Sequence, residues 1–287
     1  MKTIGFVDYY ISEWHAINYP GWFKEVCEEQ GKDFQIKYAW SEREDSPWDN
    51  RSADQWCKDF DVERCSTIKE LCEKSDYIVI LAPSDPDKHL GYAEEVFKNC
   101  NGKHVYIDKT FTPDLATALK IYELAEKYGV KFFSSSALRY ATEVNEFDNP
   151  ESLIVTFGGG NMPEYLVHAL EIATKIMGVG VTEVKLEKLS KKQYICFAKY
   201  ADGRAYTLIY APYFNFTVDA YYKELINNDD CRQKEAKTRS FKNLLSDIIR
   251  FFETGEVSFP KEQTLEIMRV REAMIKLMGD EGKWVKI

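Results

Sequence analysis

Short apolar runs alternate with helix signals through the first half of the chain. The runs are Thr3–Val7, Phe34–Trp40, Tyr77–Ala82, Val105–Ile107 and Val130–Phe133. Tyr77–Ala82 is almost wholly apolar, as a strand covered on both faces should be. Thr67 with Glu70 forms a capping-box pattern ahead of Leu71. Thr112-Pro113 predicts a helix start with proline in its first position. Leu115, Ala118, Leu119, Tyr122 and Ala125 then give one apolar face, and Gly129 closes the helix. Such alternation predicts a parallel, doubly wound α/β sheet.

The second half has a different rhythm. Ser152–Phe157 reads as a strand, and Glu164–Met177 as a helix stopped by Gly178. Strands follow at Val181–Leu189, Gln193–Tyr200 and Ala205–Tyr210, the last two flanking the hairpin signal Asp202-Gly203. Phe214–Tyr222 is a further strand candidate. Ser240 caps a helix with Phe241, Leu244, Leu245, Ile248 and Phe252 on one side, ended by Gly255, and a last helix runs over Lys261–Met278. This is an α+β domain with a mainly antiparallel open sheet. Polar turn residues gather over Arg139–Asn149, which places the domains at 1–140 and 141–287. An open sheet face bearing Tyr206, Tyr210, Phe214 and Phe216 would be covered by another subunit, giving a homo-oligomer, a dimer or a tetramer.

Composition narrows the classes. At 287 residues the chain can bury a real core in two domains. A formal charge of −9 without a basic cluster argues against nucleic acid and anionic membrane surfaces as partners. No apolar run approaches membrane-spanning length. The first residues read as a strand rather than a signal peptide, so a cytoplasmic protein is expected. Seven cysteines show no Cys-x-x-Cys pair, which fits reduced thiols, and with four scattered histidines no metal site is expected.

The chemistry gathers where strands of such a sheet end, because ligands bind there. Ser75–His89 reads as a strand, a turn and a helix start. Gly102-Lys103-His104-Val105-Tyr106-Ile107-Asp108-Lys109-Thr110 places a lysine just past the next strand. Further on, Gly158-Gly159-Gly160 precedes Glu164, with His168 one helical turn later. Residues four apart share a helix face, and a carboxylate beside an imidazole suits a proton shuttle.

These segments resemble the glucose–fructose oxidoreductase / inositol dehydrogenase (Gfo/Idh/MocA) family. Its members carry Pro-x-x-x-x-x-His in the loop occupied here by Pro83 to His89. They carry Glu-Lys-Pro where this chain has Asp108-Lys109-Thr110, and a glycine run followed by Asp-x-x-x-His where it has Glu164 and His168. Arg139-Tyr140 resembles the Arg-Phe after the family's next strand. The resemblance implies a Rossmann-like amino-terminal domain binding NAD or NADP and a carboxyl-terminal domain for substrate and oligomerisation. It implies that Lys109 and His168, with Glu164, flank a substrate hydroxyl, the histidine taking its proton while hydride leaves the carbon. Pro83 and His89 would line the cofactor, and Arg139 and Tyr140 the substrate. The segment between Arg139 and the glycine run is short for the family, which implies a smaller or more open pocket.

The first turn departs from that pattern. Asp8, Tyr10 and Glu13 stand at the three glycine positions of a dinucleotide fold. Glycines there let the backbone approach the pyrophosphate at a helix amino-terminus, whereas a desolvated carboxylate repels it. His15 falls where the family often has a histidine, and an ordinary polar residue reads equally well. Glu42 stands where an acid would hold the ribose and Arg43 where a 2′-phosphate would sit, but solvated loop charges explain both. The chain is expected to be an NAD(P)-dependent oxidoreductase acting on a sugar, polyol or related hydroxy compound. The alternative is an inactive relative that has lost the dinucleotide and binds a small sugar-like ligand.

Overall fold

The computed structural model describes residues 1–222 and 231–287. The chain packs as two compact units, Met1–Ser135 with Leu244–Ser258, and Ser136–Asn243 with Phe259–Ile287.

The first unit holds β1 (Lys2–Asp8), α1 (Trp14–Gln30), β2 (Phe34–Ser41), α2 (Ala53–Asp59), β3 (Glu63–Arg64), α3 (Ile68–Lys74), β4 (Tyr77–Ile80), α4 (His89–Asn99), β5 (Val105–Ile107), α5 (Leu115–Tyr128) and β6 (Phe132–Ser134). Its six strands are all parallel in the order β3-β2-β1-β4-β5-β6. The side chains of Ile78, Val79, Ile80, Val105, Tyr106 and Ile107 are all buried, so β4 and β5 are covered on both faces. At Gly5 an added Cβ would come within 2.6 Å of the Leu71 side chain, which is how closely α3 lies on β1. The strand order reverses between β1 and β4. That is the switch point beside which a ligand crevice forms in such sheets.

The second unit holds β7 (Ser152–Phe157), α6 (Met162–Met177), β8 (Val181–Ser190), β9 (Gln193–Tyr200), β10 (Ala205–Tyr210), β11 (Thr217–Tyr221), β12 (Cys231–Glu235), α8 (Lys261–Lys276) and β13 (Trp284–Lys286). The sheet order is β12-β11-β7-β10-β9-β8-β13, antiparallel except for the parallel pair β7–β10. Helix α6 packs on β7 and β10, and α8 packs on α6 and β8. The unit division passes through α7 (Ser240–Thr254), whose residues from Leu244 belong to the first unit.

The expected architecture holds, with local corrections. Helix α5 starts two residues later than Thr112-Pro113 predicts, because the Asp114 carboxylate caps it by accepting the Thr117 N–H at 2.7 Å. Its buried stripe is Ala118, Ile121 and Ala125, and Leu119 is exposed. At α3, Thr67 caps Glu70 as the motif requires, but Glu70 reaches back to the Ser66 N–H at 2.8 Å. Helix α6 starts at Met162, capped by Asn161. The strand expected over Phe214–Tyr222 is confined to Thr217–Tyr221. Tyr206 and Tyr210 do not lie on an open face: they alternate with Thr207 and Ile209 and are buried with Leu208 on the helix side. The uncovered face instead carries Ile154, Ile195, Phe197 and Ile209. Six cysteines are free and buried, and that of Cys231 lies outside the described side chains. Among the described residues no helix is long and apolar enough to cross a membrane.

Candidate active site

Strand β1 ends in Asp8, which is 1% exposed. Its Oδ1 accepts the N–H of Tyr9 at 2.7 Å and that of Ala82 at 3.0 Å, so the side chain stitches β1 to the residue chain just past β4. Its Oδ2 is buried with no hydrogen-bond partner among the described residues. Burial, then the nearby Glu13 charge, push this carboxyl well above its ordinary value. Glu13 is the N-cap of α1, and its carboxylate accepts the N–H of His15 at 2.8 Å and of Ala16 at 2.5 Å. Burial raises Glu13 as well, against the pull of His15. The buried His15 ring lies 2.6 Å from the Asp108 carboxylate through Nδ1. Three acids and one histidine thus share the end of the sheet at the switch point. Tyr10, half-buried beside them, is pushed up to about 12 by burial and by Asp85 and Asp8.

Strand β5 delivers Asp108 and Lys109. Burial opposes the Asp108 charge, but His15 and then Lys109 outweigh it and hold the carboxyl below its ordinary value. Lys109 is half-buried and is followed by a cis peptide bond to Thr110. The Thr110 N–H meets the Pro83 carbonyl at 3.4 Å. His89 is fully buried, its Nδ1 2.7 Å from the Phe111 carbonyl and its Nε2 against the Leu81 carbonyl. Both ring nitrogens are therefore occupied by main chain, and the residue ties the loop after β4 to the loop after β5. Burial lowers its pKa.

Past β2, Glu42 accepts hydrogen bonds from Lys88 Nζ at 2.6 Å and the Tyr92 hydroxyl at 2.7 Å. These partners hold its carboxyl below the ordinary value. Lys88 also lies 4.4 Å above the Tyr9 ring, and the Arg43 guanidinium 5.8 Å from it.

In the second unit, His168 Nδ1 meets the Ser136 hydroxyl at 2.6 Å. The Ser136 N–H donates to Glu171 Oε1 at 3.0 Å, and Glu171 Oε2 pairs with Arg139 Nη1 at 3.1 Å. The guanidinium also binds Gln263 and stacks 3.9 Å from the Phe259 ring centre. Arg139, 4% exposed, is thus anchored inside this unit. Glu164, in the first turn of α6, accepts Asn161 Nδ2 at 3.1 Å. Tyr140 is half-buried, and its carbonyl accepts Asn243 Nδ2 at 2.9 Å.

Residues 46–136 match the GFO_IDH_MocA family, described as an oxidoreductase family with an NAD-binding Rossmann fold. The likeness to that family is carried by this segment, about a third of the chain. The match includes Pro83, His89 and Lys109 but begins after the first turn, so it does not reach Asp8 or Glu13. No curated protein matches the sequence. Among solved structures, the chain is similar to a probable dehydrogenase from Thermotoga maritima, with TM-score 0.75 and 14% identity over 99% of this chain and 98% of that one. A putative myo-inositol dehydrogenase from Sinorhizobium meliloti gives TM-score 0.74 and 10% identity over 100% of both. A protein of gentamicin A biosynthesis, solved in complex with NAD, gives 0.72 and 13% over 100% and 97%. At these identities the likeness is one of fold.

The first turn of this chain does not fit a dinucleotide's diphosphate. The amides of His15 and Ala16 at the α1 amino-terminus, which would face a phosphate, are taken by Glu13. Asp8 adds a second buried carboxylate. On the ribose side Glu42 stands just past β2, with both its carboxylate oxygens engaged by Lys88 and Tyr92. Sequence reasoning missed Ser136 as the partner of His168, the Glu171–Arg139 pair and the His15–Asp108 pair. An acid directly before a helix was the available signal for Glu13 as a cap. Nothing local marked the others, whose partners lie far along the chain.

Proposed function

We propose that the chain is an oxidoreductase acting on a sugar, polyol or related hydroxy compound. In this reading Lys109 is the residue set at the reacting hydroxyl. The observation that carries this reading is Lys109, held just past β5 inside the segment that matches the oxidoreductase family. Dehydrogenases among the structural neighbours support it, and the NAD complex of one of them makes a nicotinamide dinucleotide the redox partner this kinship implies. His168 can hold a proton on one ring nitrogen while the other faces Ser136, the arrangement that fixes a tautomer for acid–base work.

A second reading is favoured by one specific observation, the carboxylates that fill the first turn. In that reading the protein has given up the dinucleotide and binds a sugar-like ligand without redox chemistry. Titration with NADH and NADPH, followed by nicotinamide fluorescence, separates the two. It is paired with a panel of polyols and sugars assayed for nicotinamide reduction. Saturable binding with polyol-dependent reduction supports the first reading. Neither coenzyme binding while a polyol stabilises the protein against heat selects the second.

A further inference from the structure

Doubly wound sheets place a ligand's diphosphate in the crevice at the switch point, against the amino-terminus of the helix after the first strand. In this chain that place has an occupant of its own. The Glu13 carboxylate sits on the amides of His15 and Ala16 as a phosphate oxygen would. Asp8 Oδ1 spans the crevice by accepting the Ala82 N–H from beyond β4. Its Oδ2 remains buried without a hydrogen-bond partner among the described residues. A diphosphate arriving there would meet Asp8, Glu13 and Asp108, with His15 as the histidine paired to Asp108.

We propose that Glu13 is a built-in anion that keeps the α1 amino-terminus closed to a ligand's phosphate, with Asp8 closing the adjoining gap between β1 and β4. Glu13 and Asp8 thereby act as specificity determinants: the switch point of this fold rejects phosphorylated ligands and tolerates neutral ones. The charges facing the cluster are few. Asp108 and Asp85 add negative charge; His15 and then Lys109 supply the positive charge felt by Asp108, His15 that felt by Glu13, and Arg43 that felt by Tyr10. Burial raises both carboxyls, Asp8 the more strongly, which eases their mutual repulsion and leaves the amides occupied by Glu13. The inference rests on the general geometry of such sheets and not on the redox reading.

The test uses ADP-ribose, which carries the diphosphate but no nicotinamide, so its outcome is independent of any redox activity. Binding is measured by calorimetry on the full chain, on Glu13→Gln, and on the double variant Asp8→Gly/Glu13→Gly. The native protein should show no saturation below about 1 mM. The double variant frees the two amides and removes both carboxyl groups, and should bind at least about tenfold tighter than the native protein. Glu13→Gln keeps an acceptor for the cap and loses only the charge, so it should gain less, and it reads the effect if the double variant fails to fold. Low-micromolar binding of ADP-ribose by the native protein overturns the proposal. So does unchanged affinity in a variant whose circular dichroism matches the native chain.

Discussion

Asp8→Asn should make the protein more stable at neutral and alkaline pH, by a margin that shrinks as the pH falls. The carboxyl is buried, and its folded-state pKa is raised by burial and by Glu13. A raised acid contributes its full stability below its ordinary pKa and loses it as the pH rises toward the folded value. From an ordinary value of 3.8, the cost of keeping it protonated at pH 7 has a ceiling of about 4 kcal/mol. Asparagine does not titrate, and its carbonyl can still accept the Tyr9 and Ala82 N–H groups. Its amide would occupy the position of Oδ2, where no partner waits, at a cost of about 1–3 kcal/mol. The difference is a net gain of at most about 1–3 kcal/mol at pH 7, or up to several °C in Tm. Asp108 titrates in the opposite sense, because its value is lowered, but it is present in both proteins and cancels in the comparison. The assay is thermal unfolding of both proteins by circular dichroism at pH 4.5, 6, 7 and 8. A gap that stays constant across this range, or a native protein that gains on the variant as pH rises, would refute the account of Asp8 as a buried, destabilising acid.

Breaking the buried Arg139–Glu171 pair with Arg139→Met alone should cost about 3–5 kcal/mol in urea unfolding, since it strands a carboxylate. Adding Glu171→Leu should recover all but the roughly 1–3 kcal/mol of an orphaned Ser136 N–H, and additive losses would contradict this. Once an active polyol is found, Lys109→Ala and His168→Ala should each lower turnover by roughly 10²-fold with Tm unchanged, and turnover within a factor of two of native would remove them from the chemistry. The uncovered sheet face with Ile154, Ile195, Phe197 and Ile209 predicts a homo-oligomer, a dimer or a tetramer. A single-chain mass by light scattering at micromolar concentration contradicts it.

The fold was legible where local rules decide. Strands β7, β9 and β10 have the limits their alternation predicts, and glycines end α5, α6 and α7 as read. Tyr206 and Tyr210 were placed on the wrong face, although alternation along β10 puts them with Leu208. Aromatic content was read as an open surface where the period of two already assigned it to the core. Strands β3, β12 and β13 escaped notice because short edge strands carry little pattern of their own. Asp8 was read correctly as an acid at the end of β1, but its bond to Ala82 joins residues far apart in sequence, which no local pattern reports.

The departures at Asp8 and Glu13 are one change rather than two. Glu13 needs the amides of α1, its charge raises Asp8, and Asp108 holds its own charge through His15. Restoring a glycine at one position leaves the other carboxylate in a buried site built around both. Groups that share a network couple by about 0.5–3 kcal/mol in double-mutant cycles, whereas distant sites add. Asp8→Gly and Glu13→Gly should therefore be non-additive for ADP-ribose affinity. Either single change leaves a carboxylate facing the diphosphate, and only their combination clears the site. Simple additivity of the two would mean that Asp8 and Glu13 act on separate parts of the ligand, and the shared closure at the switch point would have to be abandoned.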